Sequence, residues 1–170
     1  MRPIEIERRI LADELDAGVL AAHSPAAGLQ QHRLYSEASS LYIAPGHPWL
    51  KRADKTITRE SLAEIELVAD PYSVDLPVHA RAPSHAGSPR ADSIEGVALL
   101  IASGRFAGFL PDHFVDSNRP LGHLRRVHPA LFSHTQDIVL TCRRGKADTV
   151  LRVLLRQLAA AAPPSSRKPA

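Results

Sequence analysis

A chain of 170 residues, 44% apolar and 23% charged, is long enough for one ordinary domain or two small lobes and has the balance of a soluble globular protein. Its 21 Lys and Arg against 18 Asp and Glu leave a net charge of +3, too mild for a nucleic-acid module, which would carry a dense basic face with interleaved aromatics. The single cysteine, Cys142, excludes an internal disulfide, the residues after Met1 lack the apolar core of a secretory signal, and no apolar run reaches bilayer length, so a cytoplasmic location and no membrane contact are expected.

Residues 4–15 carry Ile6, Ile10, Leu11 and Leu15 at helical spacing, and Asp16-Ala17-Gly18 ends that amphipathic helix. Residues 19–22 form a short apolar strand before the turn at His23-Ser24-Pro25. A domain that opens on a helix followed by so short a strand suggests sheet strands that are missing or come from another chain. Between residues 32 and 50, apolar bursts at Leu34-Tyr35 and Leu41-Tyr42-Ile43 read as two strands separated by a Ser-rich stretch. Pro45-Gly46-His47-Pro48 is a forced turn, because Pro48 pushes His47 out of the helical region. Thr58 is placed to cap a helix running to about Ile65, with Leu62 and Ile65 inward, and residues 67–69 make a brief buried strand.

Residues 71–90 are rich in proline and carry little pattern. The stretch 91–111 is the clearest in the chain. Asp92 with Glu95 has capping-box spacing, Ile94, Val97, Ala98 and Ile101 share one helical face, and Gly104 stands where a left-handed stop is wanted. Phe106 to Leu110 fits a buried strand that Pro111 ends. Further strands are expected near residues 124–127 and over 135–143, then a final helix opened by Asp148 with a stripe of Val150, Leu151, Leu154, Leu155 and Leu158. The tail 162–170 has the composition of a disordered segment.

Nine histidines raise a metal hypothesis, but His79 with His85 and His123 with His128 lack the close pairing of zinc ligands, and no metal or cofactor is expected. A nucleophile elbow and a glycine-rich phosphate loop are both missing. Asp112-His113 is the one acid/base pairing in view, and an exposed turn histidine is the preferred reading. Cys142 beside Arg143 and Arg144 admits a reactive thiolate, against the preferred reading of a packed strand cysteine. Binding is better supported than catalysis, and no enzyme is expected. Asp92 and Ser93 mark a helix N-terminus, where free N–H groups and the dipole favour anions, and Tyr72 and Ser73 offer a ring and a hydroxyl after a buried strand. For Ser93, a mere capping role is the competing reading.

LYSEASSLYIAPGHPWLKRAD with ITRESLAEIELVA, then ADSIEGVALLIASGRFAGFLPDHF and LTCRRGKADTVLRVLLRQL, resemble in order the effector-binding domain of LysR-type transcriptional regulators. ERRILADELDAGVLAAHS is similar to a first-lobe segment of that family. The resemblance implies an α/β fold of the type II periplasmic-binding-protein kind, two lobes joined by hinge strands. Residues 1–46 and 116–161 would form a partial first lobe and 47–115 the second, with the crossing at Gly46-His47-Pro48. It implies that Tyr72, Ser73, Asp92 and Ser93 contact a small-molecule inducer, an organic acid by family likeness, with Phe109 nearer the packed floor, and that the chain forms a homodimer or joins a partner regulator. The family places a winged helix-turn-helix and a linker helix before this domain, and a first strand and helix in the first lobe. None of these is found here, so a truncated gene product or a fragment is expected, with DNA contact only through a helix-turn-helix absent from the chain. The alternative function is a remnant that dimerises without sensing.

Overall fold

A computed structural model describes residues 3–69 and 89–145 together with Arg152, Arg156 and Gln157. The chain divides into two compact units, residues 1–37 with 136–170, and residues 38–135. Two long strands, β2 (Leu29–Ile43) and β5 (Ser133–Arg143), pass through both divisions.

In the first unit, α1 (Pro3–Leu11) leads to β1 (Ala17–Ala21), and β5 lies between β1 and β2. β1 and β5 are antiparallel, Ala17 opposite Cys142 and Ala21 opposite Ile138. The Asp16-Ala17-Gly18 break is needed for more than the turn. A Cβ on Gly18 would lie 2.3 Å from Ile6 Cγ2, so only glycine lets the helix close on the strand. Glu7, buried on the same helix, meets His23 Nε2 at 3.0 Å and accepts from the Ala26 N–H, which ties the helix to the loop after β1. Cys142 is fully buried beside Leu140, Ala17 and Leu34, and the Gln30 amide points at its sulfur. This is the packed strand cysteine expected from the sequence.

The second unit is built around the end of β2. Leu41 and Ile43 project to one core with Trp49, Ile57, Leu62, Leu67, Val127 and Phe132. Tyr42 and Ala44 project to the other with Val97, Ala98, Ile101, Leu110 and Val115. Successive strand residues alternate faces, so a continuous apolar run marks a strand covered on both sides. β3 (Gly108–Pro111) and β4 (Arg125–Arg126) both pair antiparallel to β2. Isolated parallel bridges join Leu67 to Ala107 and Ala69 to Arg90. α2 (Ile94–Ala102) buries Val97, Ala98 and Ile101, the face its periodicity defines, and stops at Gly104 with φ +78°. That glycine has a second role, since a Cβ there would stand 2.3 Å from the Pro45 carbonyl oxygen of the turn packed on it. α3 (Asp112–Ser117) and α4 (Pro129–Phe132) are short.

Several expectations are corrected. The two bursts flanking the Ser-rich stretch belong to one strand, because Ser39 and Ser40 are buried with their backbone in the ladder and Ser40 Oγ bonds Ser133 Oγ at 2.7 Å. Residues 58–65 form only a 3-10 turn, Glu60–Glu64, with Arg59 at its start. Thr58 does not cap it; Ser61 Oγ accepts from the Thr58 N–H instead. The helix of residues 94–102 is capped by Ser93, not Asp92. Asp112 and His113 open α3 rather than a turn. The final helix opened by Asp148 and the tail lie outside the described residues, apart from Arg152, Arg156 and Gln157, which are helical.

The turn at Pro45–Pro48 is held from two sides. His47, buried, accepts the Trp49 N–H on Nδ1 at 3.1 Å, which keeps its proton on Nε2. The Arg125 guanidinium donates to the carbonyls of Trp49 and Leu50, both at 2.7 Å, to that of Arg52 at 2.9 Å, and to the Asp54 carboxylate. Arg125→Met should lower stability by about 2–3 kcal/mol in urea unfolding, since charge-assisted bonds are lost and carbonyls are stranded. Arg125→Lys should recover only part, lacking the planar fork. Burial also holds the His47 imidazole below the usual histidine range. Its neutral form therefore stabilises the fold fully above about pH 6.5, the unfolded value, and that contribution is lost as the pH falls towards and through the folded-state value. His47→Asn should flatten the stability profile in that acidic window, read as urea midpoints against pH.

Candidate functional site

Two places in the second unit have the makings of a site. The first is the start of α2. Ser93 is extended, φ −143° and ψ 156°, and its Oγ accepts the Gly96 N–H at 3.1 Å. A hydroxyl that accepts from the helix still has its own proton to donate outward. Asp92 and Ser93 are both exposed. Ala69 N–H donates to the Pro89 carbonyl at 2.9 Å, and Ala69 bridges Arg90 in parallel. The chain enters α2 just after Arg90, the parallel-bridge partner of Ala69, so the helix start follows the carboxyl side of that bridge, the position favoured for ligands in α/β sheets. Asp92 and Ser93 are the two consecutive residues that lead into α2. Tyr72 and Ser73 lie outside the described residues.

The second place was not seen in the sequence. Tyr42, 2% exposed, donates its hydroxyl proton to Asp112 Oδ1 at 2.9 Å and accepts from Arg126 Nε at 3.0 Å. The Arg126 guanidinium also stands over the Tyr42 ring, 5.6 Å from its centroid, and its outer nitrogen is 3.5 Å from Asp112 and 3.8 Å from Asp116. Tyr42, Asp116 and Arg126 border a cavity of about 490 Å3 whose lining also includes Val115, Asn118, Arg119 and Leu124. Burial, opposed by the bond from Arg126 and aided by Asp112, pushes the Tyr42 phenol up to about 12. One signal was available: a tyrosine inside an otherwise aliphatic buried run needs a partner for its hydroxyl.

The remaining candidates fall out on geometry. Asp112 is committed to Tyr42, and His113 is exposed on the first turn of α3. His128 Nδ1 lies 3.1 Å from the Ile57 carbonyl, His123 is exposed, and His79 and His85 are outside the described residues. Phe109 is partly buried against the core that holds Leu41, the packed position expected of it. Among the described residues, no group of three or more His, Cys, Asp and Glu is placed to hold a metal ion. Nor, among them, is any helix long and apolar enough to cross a membrane.

Comparison with known proteins decides the family. Residues 2–163 match the family model described as the LysR substrate binding domain. The chain belongs to that family. It is 34% identical over 144 residues to the HTH-type transcriptional activator BauR of Pseudomonas aeruginosa, covering 85% of this chain and 47% of that protein, so the chain spans about half the length of this relative. The reduced form of OxyR from Neisseria meningitidis superposes with a TM-score of 0.73 at 16% identity, over 94% of this chain and 76% of that one. The reduced OxyR regulatory domain of Pseudomonas aeruginosa gives 0.71 at 20% identity, over 94% and 79%. The regulatory domain of CrgA, a LysR-type transcriptional regulator from Neisseria meningitidis, gives 0.67 at 20% identity, over 91% and 79%. At these identities the likeness is one of fold, the α/β regulatory-domain fold expected of a LysR substrate-binding domain.

The Tyr42 network makes a measurable claim. Because the folded-state phenol ionises near 12 and a free one near 10, the neutral phenol contributes stability that is full below about pH 10 and lost as the pH rises through about 12. In a spectrophotometric titration Tyr42→Phe should remove the phenol that ionises near 12. Survival of that late step would mean the hydroxyl is not held as described.

Proposed function

We infer that this chain is the part of a LysR-type transcriptional regulator that senses a small-molecule effector. The observation that carries this reading is the family match over residues 2–163, together with the likeness to a transcriptional activator. The effector we propose is a small organic acid, bound at the start of α2 by Ser93 and Asp92 together with Tyr72 and Ser73. Two features support that placement. The free N–H groups of a helix N-terminus favour a carboxylate, and the bridge between Ala69 and Arg90 puts the residue three positions before Tyr72 beside the one that leads into α2. Only Asp70 and Pro71 separate Ala69 from Tyr72, three Cα–Cα steps and a reach of about 11 Å at most.

The exposed Asp92 carboxylate opposes a bare anion, so the acid would be oriented with its charge on the N–H groups and the Ser93 hydroxyl and its body away from Asp92. Sensing would then be a shift between conformations that bind the acid with unequal affinity, since equal affinity shifts nothing. Assembly as a dimer, action on DNA through a helix-turn-helix not contained in these residues, and a cytoplasmic location complete the proposal.

A thermal-shift panel of small carboxylates tests it: at least one should raise the melting temperature in a saturable way. If none does, the chain is not a sensor and dimerisation without sensing becomes the better reading. Ser93→Ala removes both cap and donor and should lower helix stability by about 1 kcal/mol. Ser93→Asp keeps a good cap but has no hydroxyl proton, so it should leave the apparent melting temperature nearly unchanged while abolishing the response to the acid that binds at the start of α2. A full response in Ser93→Asp would remove Ser93 from the site.

A further inference from the structure

We propose that the cavity beside Tyr42 is a second binding site, taking a small monocarboxylate with a short apolar tail. Its wall is divided in the way such a ligand needs. Val115 and Leu124 supply apolar surface, while Arg119, Arg126 and Asn118 supply donors. A volume of about 490 Å3 is within the range of small-molecule sites, roughly 300–1,000 Å3.

Arg126 is fixed in place before any ligand arrives. Its Nε is bonded to the Tyr42 hydroxyl and its plane stands over the Tyr42 ring. Its outer edge is different. The contacts to Asp112 and Asp116, at 3.5 and 3.8 Å, are too long for good hydrogen bonds. Donors on that edge are therefore left for a carboxylate, and preorganisation lowers the entropic penalty of using them. The Arg119 guanidinium, in the 3-10 turn Arg119–Leu121, makes no hydrogen bond or ion pair among the described residues, and neither does the side-chain amide of Asn118. Two guanidinium groups, one of them locked, and one amide border a single cavity.

Charge selects the ligand class. Asp112 and Asp116 both stand against Arg126, and with Arg119 the four charges sum to zero, so an anion is held by directed donors rather than by net charge, and a dianion such as phosphate, which costs more to desolvate, is disfavoured against a monoanion. The apolar side between Val115 and Leu124 favours a ligand with a short hydrocarbon body over acetate. No residue of α2 lines the cavity, so this site stands apart from the one proposed at Ser93.

The test is a titration of the whole chain with sodium butyrate, following the arginine Nε–H resonances by NMR, with sodium phosphate as the second probe. Butyrate should give saturable shifts at Arg126, with a dissociation constant on the order of 1 mM for a ligand of that size. Arg119→Gln sits on an exposed turn outside the Tyr42 network, so it should leave folding intact and weaken butyrate about tenfold. Arg126→Lys keeps the charge but not the fork, and should weaken it as well. Ser93→Asp should bind butyrate here as the unaltered chain does. The proposal is overturned if butyrate gives no saturable shift, if Arg119→Gln binds unchanged, if phosphate binds as tightly, or if the shifts vanish in Ser93→Asp.

Discussion

The second unit depends on one arginine. Between β2 and the 3-10 turn at Asp54–Thr56 the chain reverses through residues 45–53 with little regular structure; the carbonyls of His47, Trp49 and Ala53 accept N–H groups three residues on, but those of Leu50 and Arg52 have no such backbone partner. Arg125 supplies the missing partner from a two-residue strand on the other side of β2, reaching three carbonyls and the Asp54 carboxylate. A planar fork with five donors can do this from one position, whereas a lysine would have to choose. Because β4 is itself held by pairing to Tyr42 and Ile43, the same residue ties the irregular segment to the central strand. Trp49, within that segment, and Ile57, just past it, are thereby placed in the core with Leu41 and Ile43.

The turn is constrained by shape as well as by bonding. Gly46 and Gly104 both adopt positive φ, and the Gly104 Cα faces Gly46 and the Pro45 carbonyl so closely that a side chain on Gly104 would collide with backbone. The end of α2 and the end of β2 are therefore locked together at a point where no side chain intervenes. His47 fits beside Trp49 in this dense corner as a neutral ring, edge to face at 6.0 Å. Burying the imidazole there requires its uncharged form, which makes the corner sensitive to acid in a way that the aliphatic core is not.

What the sequence made legible was whatever rests on periodicity and on glycine. The apolar face of α2, its stop at Gly104, the buried strand before Pro111 and the β5 strand all follow from local pattern, and tertiary packing agrees with it. The continuity of β2 was hidden, since Ser36, Ser39 and Ser40 look like loop residues until a partner strand and Ser133 take up their polar groups. The cap of α2 was displaced by one residue because Asp92 and Ser93 are both good caps and only backbone geometry chooses between them. The family was readable from motifs in order, but the Tyr42 cluster was not. Its members are 42, 112, 116 and 126 in the chain, and only the pairing of β2 with β3 and β4 brings them together.

The two proposed sites in the second unit would hold an anion by different physics. At the start of α2, the attraction comes from oriented N–H groups and a hydroxyl, and it is short-ranged and directional. Beside Tyr42 it comes from whole charges that are partly exposed, with Arg126 side-chain exposure of 37% and carboxylates nearby. Such charges interact through solvent and weaken with salt, whose screening length is about 8 Å at physiological ionic strength. Locking Arg126 against the Tyr42 ring offsets some of that loss, because the donor edge is already oriented when a ligand arrives. A site of this kind selects by geometry and by net charge more than by strength, and the buried Tyr42 hydroxyl is what makes the geometry hold: without it the guanidinium would keep its charge and lose its direction.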